Sequence, residues 1–361
     1  MAYKNSKIRV VIVDDSPFMR KIIGDILNSD KDIEVISTAK NGKEGIEIIK
    51  QLKPDVVTMD IEMPIMNGLE TLKNIMKINP VPVIMLSNLT SKGAEATMLA
   101  LELGAVDFIQ KPSSLFSINT EDFKTQFIKQ IKSAHRAKLI KSYTIPEEKT
   151  TIPDYKKDDI ITTTSETKNI VAIGTSTGGP RALQHIIPLI PKRFPGSIFV
   201  VQHMPPGFTK SLADRLDSLS QIRVKEAEHG EKVYSGYVYI APGNYHLKIK
   251  QNRSDELYID LSQEAPVTGH RPSVDVLFDS LSKLNLVNIK TTAVIMTGMG
   301  SDGTKGLKNL KKKKQWHIIA QNEESSVVYG MPKSAVQAGV VDEILPLDKI
   351  VKAIVNRMGV I

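Results

Sequence analysis

Residues 8–15 read IRVVIVDD, an apolar run of strand length that ends in two aspartates. Four more short apolar runs follow, and stretches with apolar residues at helical spacing separate them. Strands that are apolar on both faces and alternate with helices form a parallel sheet covered by helices on both sides. We therefore predict a five-stranded parallel α/β domain over residues 1–137. Its predicted strands are Ile8–Val13, Ile33–Ser37, Val56–Met59, Val83–Leu86 and Val106–Ile109.

The periodic pattern stops at residue 138. Residues 138–168 are rich in Thr, Lys, Glu and Asp, contain two prolines and lack a sustained apolar period, which is typical of a linker. An apolar strand, Asn169–Ile173, then opens a second domain over residues 169–361. Alternating strands and helices predict a doubly wound α/β domain there, with an antiparallel portion around residues 223–262.

Composition restricts the classes of function. The 361 residues include no cysteine, which excludes disulfides, thiolate metal ligands and a cysteine nucleophile. We see no signal peptide and no apolar run near the roughly 20 residues that span a bilayer, so we expect a cytoplasmic protein without direct membrane insertion. The net charge is +8, but no zinc-finger, basic-zipper or RNA motif accompanies it. We interpret that charge as solvated surface and expect no nucleic-acid partner.

Polar side chains stand at the ends of four predicted strands in the first half. Asp14 and Asp15 follow the first strand, Asp60 the third, Ser87 the fourth and Lys111 the fifth. The carboxyl ends of parallel strands share one edge of the sheet, where functional groups collect. Clustered carboxylates suit Mg²⁺, and a hydroxyl with an ammonium can hold phosphoryl oxygens. Helix capping would explain any one of these residues, but it explains the whole set poorly.

These motifs resemble the response-regulator receiver family over residues 7–137. The matching stretches read VIVDDS at 11–16, MDIEMP at 59–64, LS at 86–87 and KP at 111–112. The resemblance implies a flavodoxin-like fold, Mg²⁺ as cofactor and an upstream histidine kinase as phosphodonor. It also implies a cis peptide bond before Pro112.

The resemblance further implies roles for individual residues. Asp60 would be the phosphoacceptor, and Asp14 and Asp15 would bind Mg²⁺ together with it. Phe108 stands in the place of the family's switch aromatic, where it lacks a tyrosine hydroxyl. The residues implied to sense the phosphoryl group are Ser87, Lys111 and Phe108.

A glycine-rich turn opens the second domain, where residues 174–180 read GTSTGGP between a strand and a helix. A dinucleotide fingerprint fails because Ser176 stands where its second glycine should be, and a P-loop fails because Gly179 is followed by Pro180 and Arg181. The pattern GxSxG fits, and it places a serine on a sharp strand-to-helix turn. A plain glycine-rich connection is the competing interpretation.

A nucleophilic serine needs a base and a group that orients the base. His203 stands at the end of the next predicted strand, and His270 is its main rival. Asp302 lies in a second glycine-rich turn, TGMGSDG at 297–303, where it could also serve as a helix N-cap. The chain order Ser, His, Asp differs from that of the α/β-hydrolases.

With the receiver attached, these segments resemble the chemotaxis protein-glutamate methylesterases. The resemblance implies Ser176 as nucleophile, His203 as base and Asp302 as the residue that orients it. It also implies the backbone amides of Thr177 and Met299 as oxyanion donors, and no cofactor in this domain. The implied substrate is a glutamyl γ-methyl ester on the cytoplasmic helices of a chemoreceptor, and deamidation of receptor glutamines is a related possibility. A transcriptional regulator without enzymatic activity and a hydrolase of small esters or amides are the alternatives.

Overall fold

The computed structural model describes residues 7–88, 90–111, 120–139 and 169–359. The chain divides into two compact units between Leu139 and Ile140. Nearly all of the predicted linker lies outside the described residues, as does Pro112 with the peptide bond before it. Within the described ranges, no helix is both long and apolar enough to cross a membrane.

The first unit is built around a five-stranded parallel sheet in the order β2-β1-β3-β4-β5. This confirms the predicted five-stranded parallel domain. The strand bounds differ from the prediction by two residues at most. The elements are β1 (Ile8–Val13), α1 (Pro17–Asn28), β2 (Ile33–Ala39), α2 (Gly42–Leu52), β3 (Val56–Asp60), α3 (Gly68–Ile78), β4 (Val83–Ser87), α4 (Ser91–Glu102), β5 (Asp107–Gln110) and α5 (Glu121–His135).

Side-chain caps determine where the helices of this unit begin. In each of the five helices described, the side chain of the residue before the first turn accepts a hydrogen bond from the backbone amide of the third helical residue. Such caps satisfy amides that have no partner within the helix and typically contribute about 1 kcal/mol each. The capping residues are Ser16, Asn41, Asn67, Thr90 and Thr120.

The second unit contains a seven-stranded sheet in the order β14-β13-β12-β6-β7-β9-β8, and every pair in it is parallel. Strands β6 and β7 at its centre are buried along their whole length. The elements are β6 (Asn169–Thr175), α6 (Gly179–Ile186) with a 3₁₀ turn (Ile187–Leu189), β7 (Ser197–Gln202), α7 (Phe208–Leu219), β8 (Arg223–Glu226), β9 (Tyr237–Ile240), β10 (His246–Gln251), β11 (Leu257–Ser262), α8 (Val274–Ser282), β12 (Lys290–Ile295), α9 (Thr304–Lys311), β13 (Trp316–Gln321), α10 (Met331–Gln337), β14 (Glu343–Leu345) and α11 (Leu347–Met358).

The antiparallel portion is smaller than the sequence predicted. Only β10 and β11 pair in antiparallel fashion, whereas β8 and β9 join the main sheet in parallel. Two connections account for this: helix α7, which the sequence prediction omitted, and residues 227–236, which return the chain from β8 to β9. A parallel return needs a crossover connection, and α7 supplies one between β7 and β8.

Strand β6 packs so closely against α8 that the structure leaves no room for a side chain at Gly174. A Cβ atom at this position would lie 2.3 Å from Cγ1 of Val274. We expect Gly174→Ala to destabilise the second unit by about 1–3 kcal/mol through overpacking, measured by calorimetry of the full-length chain. The matched control is Gly24→Ala in α1, where the nearest atom, Cδ1 of Ile12, is 3.9 Å away. That change should stabilise the first unit by about 0.5–1 kcal/mol because it removes a glycine from a helix interior. An unchanged melting temperature for Gly174→Ala would contradict this account of the packing.

Candidate functional site

The first candidate site lies at the carboxyl edge of the receiver-like sheet. Asp14 directly follows β1 and Asp60 ends β3; both are buried, and Asp15 beside them is exposed. One oxygen from each of the three carboxylates lies within 4.8 Å of the others. Oxygen ligands of this kind are those that Mg²⁺ prefers, so these residues fit a hard divalent cation.

Lys111 reaches the same cluster from the end of β5. Its Nζ atom lies 2.6 Å from Oδ2 of Asp60 and 3.0 Å from Oδ2 of Asp14. Burial raises the pKa of Asp60, Lys111 opposes that rise, and the result is a pKa of about 6. For Lys111, burial alone would lower the pKa, but the two carboxylates raise it above its usual value. The ammonium group is therefore held in its charged form by the residues it contacts.

Ser87 lies on β4, next to the strand that carries Asp60, and Phe108 lies on β5, one strand further. Ser87 ends β4, where its hydroxyl donates to the carbonyl of Gly93 at 3.2 Å and accepts from Thr97 at 2.8 Å. Phe108 is buried within β5. The sheet thus brings Asp14, Asp15, Asp60 and Lys111 into one cluster, with Ser87 on the neighbouring strand end and Phe108 deeper in the core.

The sequence prediction missed Arg20 in α1. Its guanidinium donates to the carbonyl oxygens of Asp14 at 2.7 Å and Asp15 at 3.0 Å. It therefore braces the loop that carries two of the acidic residues. An arginine one helical turn beyond the Asp-Asp pair is the only sequence signal for this contact.

The second candidate site lies at the carboxyl ends of β6 and β7. Thr175 pairs with Gln202 across these strands, so Ser176 and His203 are the next residues on two adjacent strands. Ser176 is partly exposed, while the residues on either side of it are buried. Its amide donates to the carbonyl of Thr297, and its own carbonyl accepts from Gln202 at 3.1 Å. The serine is therefore fixed by its backbone with its side chain at an accessible edge.

A second turn packs closely against Ser176. A Cβ atom at Gly298 would lie 2.8 Å from Cβ of Ser176 and 2.4 Å from Sδ of Met331, so only glycine fits there. Thr177 follows the serine and is buried, and its carbonyl accepts from the Thr297 hydroxyl at 2.9 Å. Met299 follows Gly298 in the opposing turn. The two residues implied as oxyanion donors therefore belong to the two turns that meet at Ser176.

Asp302 joins this site through His203. Nε2 of His203 lies 2.8 Å from Oδ2 of Asp302, and both side chains are almost fully buried. Burial alone would raise the pKa of Asp302, but His203 and the other donors lower it to about 2. The carboxyl group is thus ionised throughout the neutral range. Its other donors are the Ser273 hydroxyl at 2.8 Å and the amides of Val274, Asp275 and Gly303 at 2.7, 3.1 and 3.1 Å.

The His203 ring has one nitrogen left for a second partner. With Nε2 directed to Asp302, Nδ1 is buried and has no hydrogen-bond partner among the described residues. Nδ1 is the ring nitrogen nearer the main chain, and adjacent strands lie only about 5 Å apart, so it suits the short span to Ser176. The rival His270 stacks on the ring instead. Sequence reasoning missed Ser273, because a single hydroxyl before a helix gives no periodic signal.

Comparison with known proteins extends over nearly the whole chain. A family model described as CheB methylesterase matches residues 171–354, and one described as response regulator receiver domain matches residues 10–120. The chain is 47% identical over 359 residues to the protein-glutamate methylesterase/protein-glutamine glutaminase 1 of Syntrophomonas wolfei, which covers 97% of this chain and 99% of that protein. It is 48% identical over 352 residues to the Bacillus subtilis protein-glutamate methylesterase/protein-glutamine glutaminase, with 97% and 98% covered. The crystal structure of the Thermotoga maritima CheB methylesterase catalytic domain matches with a TM-score of 0.50 and 48% identity, over 53% of this chain and 99% of that domain.

Asp275 gives a pH-dependent test of the electrostatics beside Asp302. Burial raises the pKa of Asp275 to about 6. The hydrogen bond from the Gly306 amide lowers this pKa, and the negative charge of Asp302 raises it further. A carboxyl group with a raised folded-state pKa gains stability as the pH falls below that pKa and costs stability above it. We therefore expect Asp275→Asn to stabilise the protein by on the order of 1–3 kcal/mol near about pH 7.5, and the gain to shrink toward zero near about pH 4.

The control for this variant is Asp279→Asn in the same helix. Burial would raise the pKa of Asp279, but Lys283 and Asn309 lower it, so the ionised form adds stability at neutral pH. Its replacement should lower stability at neutral pH, which is the opposite sign. Urea unfolding of both variants across this pH range measures the difference. A loss of stability for Asp275→Asn at neutral pH would show that the Asp275 charge is better compensated than its surroundings indicate.

Proposed function

Because the chain belongs to the CheB methylesterase family and carries a receiver domain in its first half, we propose that the Ser176 site hydrolyses glutamate γ-methyl esters of chemoreceptors. The reaction returns each ester to glutamate and releases methanol. Phosphorylation of the receiver domain controls this activity. The observation that supports the assignment is that Ser176 and His203 directly follow the adjacent strands β6 and β7, while Asp302, in the turn beyond β12, contacts His203.

The geometry supports a two-step acyl transfer. The Ser176 oxygen attacks the ester carbonyl while Nδ1 of His203 accepts the serine proton. The imidazolium then donates this proton to the departing methoxy group, which leaves as methanol. A water molecule, deprotonated by the same nitrogen, attacks the acyl-enzyme and releases glutamate and free Ser176.

Asp302 and the two glycine-rich turns supply the electrostatics of these steps. The pKa of Asp302, about 2, keeps its carboxylate charged, so it stabilises the imidazolium that forms on His203. The amides of Thr177 and Met299 donate to the oxyanion of the tetrahedral intermediates. A donor of this kind typically contributes about 3–4 kcal/mol to the barrier reduction.

Deamidation of receptor glutamine follows the same path. The amide carbonyl replaces the ester carbonyl, and ammonia leaves in place of methanol. Water then releases the same glutamate product from Ser176. The names of the curated relatives include this glutaminase activity.

In the receiver domain, we assign Asp60 as the phosphoacceptor. The residues that would hold Mg²⁺ are Asp14, Asp15 and Asp60, and the ion would neutralise phosphoryl oxygens during transfer from a histidine kinase. Lys111, already 2.6 Å from Asp60, balances the negative charge of the phosphoryl group, and Ser87 offers it a hydroxyl from the next strand. Phe108, packed on β5 beside them, is suited to pass the change on to the surface of the domain.

The nucleophile is tested by Ser176→Ala. We expect methanol release from methylated receptor to fall by a factor of about 10³ or more, because the alanine side chain forms no acyl intermediate. A fluorophosphonate probe should label the wild type and leave the variant unlabelled. Ser301→Ala, which removes an exposed serine from the opposing turn, is the matched control and should keep full activity and labelling. Substantial turnover by Ser176→Ala would refute the assignment, and labelling without receptor turnover would favour a small ester as substrate.

The phosphoacceptor is tested by Asp60→Asn. Acetyl phosphate with Mg²⁺ should phosphorylate the wild type and raise its methanol release, and both effects should vanish in the variant because an amide does not accept the phosphoryl group. Asp25→Asn, on an exposed part of α1, should behave as wild type. A chelator should abolish phosphorylation and leave basal methanol release intact. Equal phosphate incorporation in both aspartate variants would place the phosphoacceptor elsewhere.

A further inference from the structure

A second imidazole covers the face of the catalytic base. The rings of His203 and His270 are parallel to within 6°, and their centroids lie 3.8 Å apart. The hydrogen bond to Asp302 belongs to His203. His270 therefore contacts the plane of the base, whereas Asp302 contacts its edge.

The backbone holds His270 in a tight hairpin. Val267 and His270 exchange two backbone hydrogen bonds of 2.9 and 3.1 Å. Thr268 and Gly269 between them both have positive φ angles, 52° and 82°. Two positive φ angles are those of a type I′ turn, which threonine adopts only at a cost in strain. The surrounding contacts therefore fix the position of His270 against an unfavourable local conformation.

Arg271 fixes the other side of the hairpin. Its guanidinium donates twice to Oδ1 of Asn244, at 2.6 and 3.1 Å, and to the carbonyls of Gln263 and Glu264, both at 2.9 Å. The amide of Asn244 in turn donates to the Arg271 carbonyl at 3.1 Å. These bonds anchor the residue that directly follows His270 to the ends of two neighbouring loops.

The same segment also holds Asp302. The Ser273 hydroxyl and the Val274 amide both donate to its carboxylate. One short stretch, residues 270–274, thus contacts the face of the His203 ring at one end and the partner of its Nε2 atom at the other. Two independent contacts from a single anchored segment define both the plane and the rotation of the imidazole.

We propose that His270 is a positioning residue for His203, an inference that rests on the proposed function. Its ring prevents the imidazole from rotating away from the orientation in which Nε2 meets Asp302 and Nδ1 faces Ser176. An aromatic face also attracts the positive charge that forms on His203 when it accepts the serine proton. His270 acts through His203 and transfers no proton itself.

Three substitutions of His270 in the full-length protein distinguish ring stacking from proton transfer. His270→Ala removes the stack, His270→Leu restores volume without an aromatic face, and His270→Phe keeps a flat aromatic ring without nitrogens. Misplacement of a catalytic group by about 1 Å can lower the reaction rate by about 100-fold. We therefore expect His270→Ala and His270→Leu to lower kcat for methanol release by about 10- to 100-fold, while KM changes by less than about 2-fold. His270→Phe should recover to within about 3-fold of the wild type, because it replaces the stacking ring. The rate of fluorophosphonate labelling of Ser176 should change in parallel.

Thermal unfolding verifies that each variant is folded. The control is His229→Ala, which should keep wild-type activity because the His229 side chain is 67% exposed. If His270→Phe is as inactive as Ser176→Ala, His270 transfers the proton and the inference is wrong. Wild-type rates for both His270→Ala and His270→Leu, or a change confined to KM, would overturn it as well. The proposed function fails separately, through activity of Ser176→Ala.

Discussion

The buried carboxylate of Asp302 is stable as a charge only because five donors reach it together. An uncompensated buried carboxylate costs several kcal/mol, so the chain must bring those donors in from wherever they lie in the sequence. They come from the end of β7 through His203, from the loop before α8 through Ser273 and its neighbours, and from the turn that carries Asp302 itself. Satisfying this one charge therefore draws three loops to the same point, and that point lies beside Ser176.

In the receiver domain, by contrast, the buried negative charges are only partly compensated by protein groups. Two buried carboxylates, Asp14 and Asp60, share the single ammonium of Lys111, and the exposed Asp15 adds a third negative charge beside them. The pKa of Asp60 rises to about 6, whereas that of Asp302 falls to about 2. The surplus negative charge leaves this site with an affinity for cations, which a fully satisfied cluster would lack. Such a surplus suits the ion and phosphoryl group proposed for this site, whereas the Asp302 carboxylate has its charge satisfied by protein donors.

Sequence reasoning succeeded where the rule that parallel strands end at a common edge could be applied. It predicted the five-stranded sheet, and it placed Asp60, Ser176 and His203 at strand ends because each follows a mainly apolar run of strand length. It failed for the direction of β8 and β9, which depends on the overlooked α7 and on the connection 227–236 between the two strands. It also failed for β14, a three-residue exposed strand without an apolar pattern. It could not find Ser273, because that residue's role depends on a contact with Asp302, 29 positions away, which only the folded chain creates.

The order of the two units along the chain has a consequence during synthesis. The receiver unit ends at Leu139, so its sheet can form while the ribosome is still adding the second unit. The proposed hydrolytic site, by contrast, combines Ser176 after β6, His203 after β7 and Asp302 beyond β12, and the donors of Asp302 extend to Gly303. A nascent chain that ends before Gly303 lacks part of this proposed site. The first unit can therefore fold before the residues of the proposed hydrolytic site have all been synthesised.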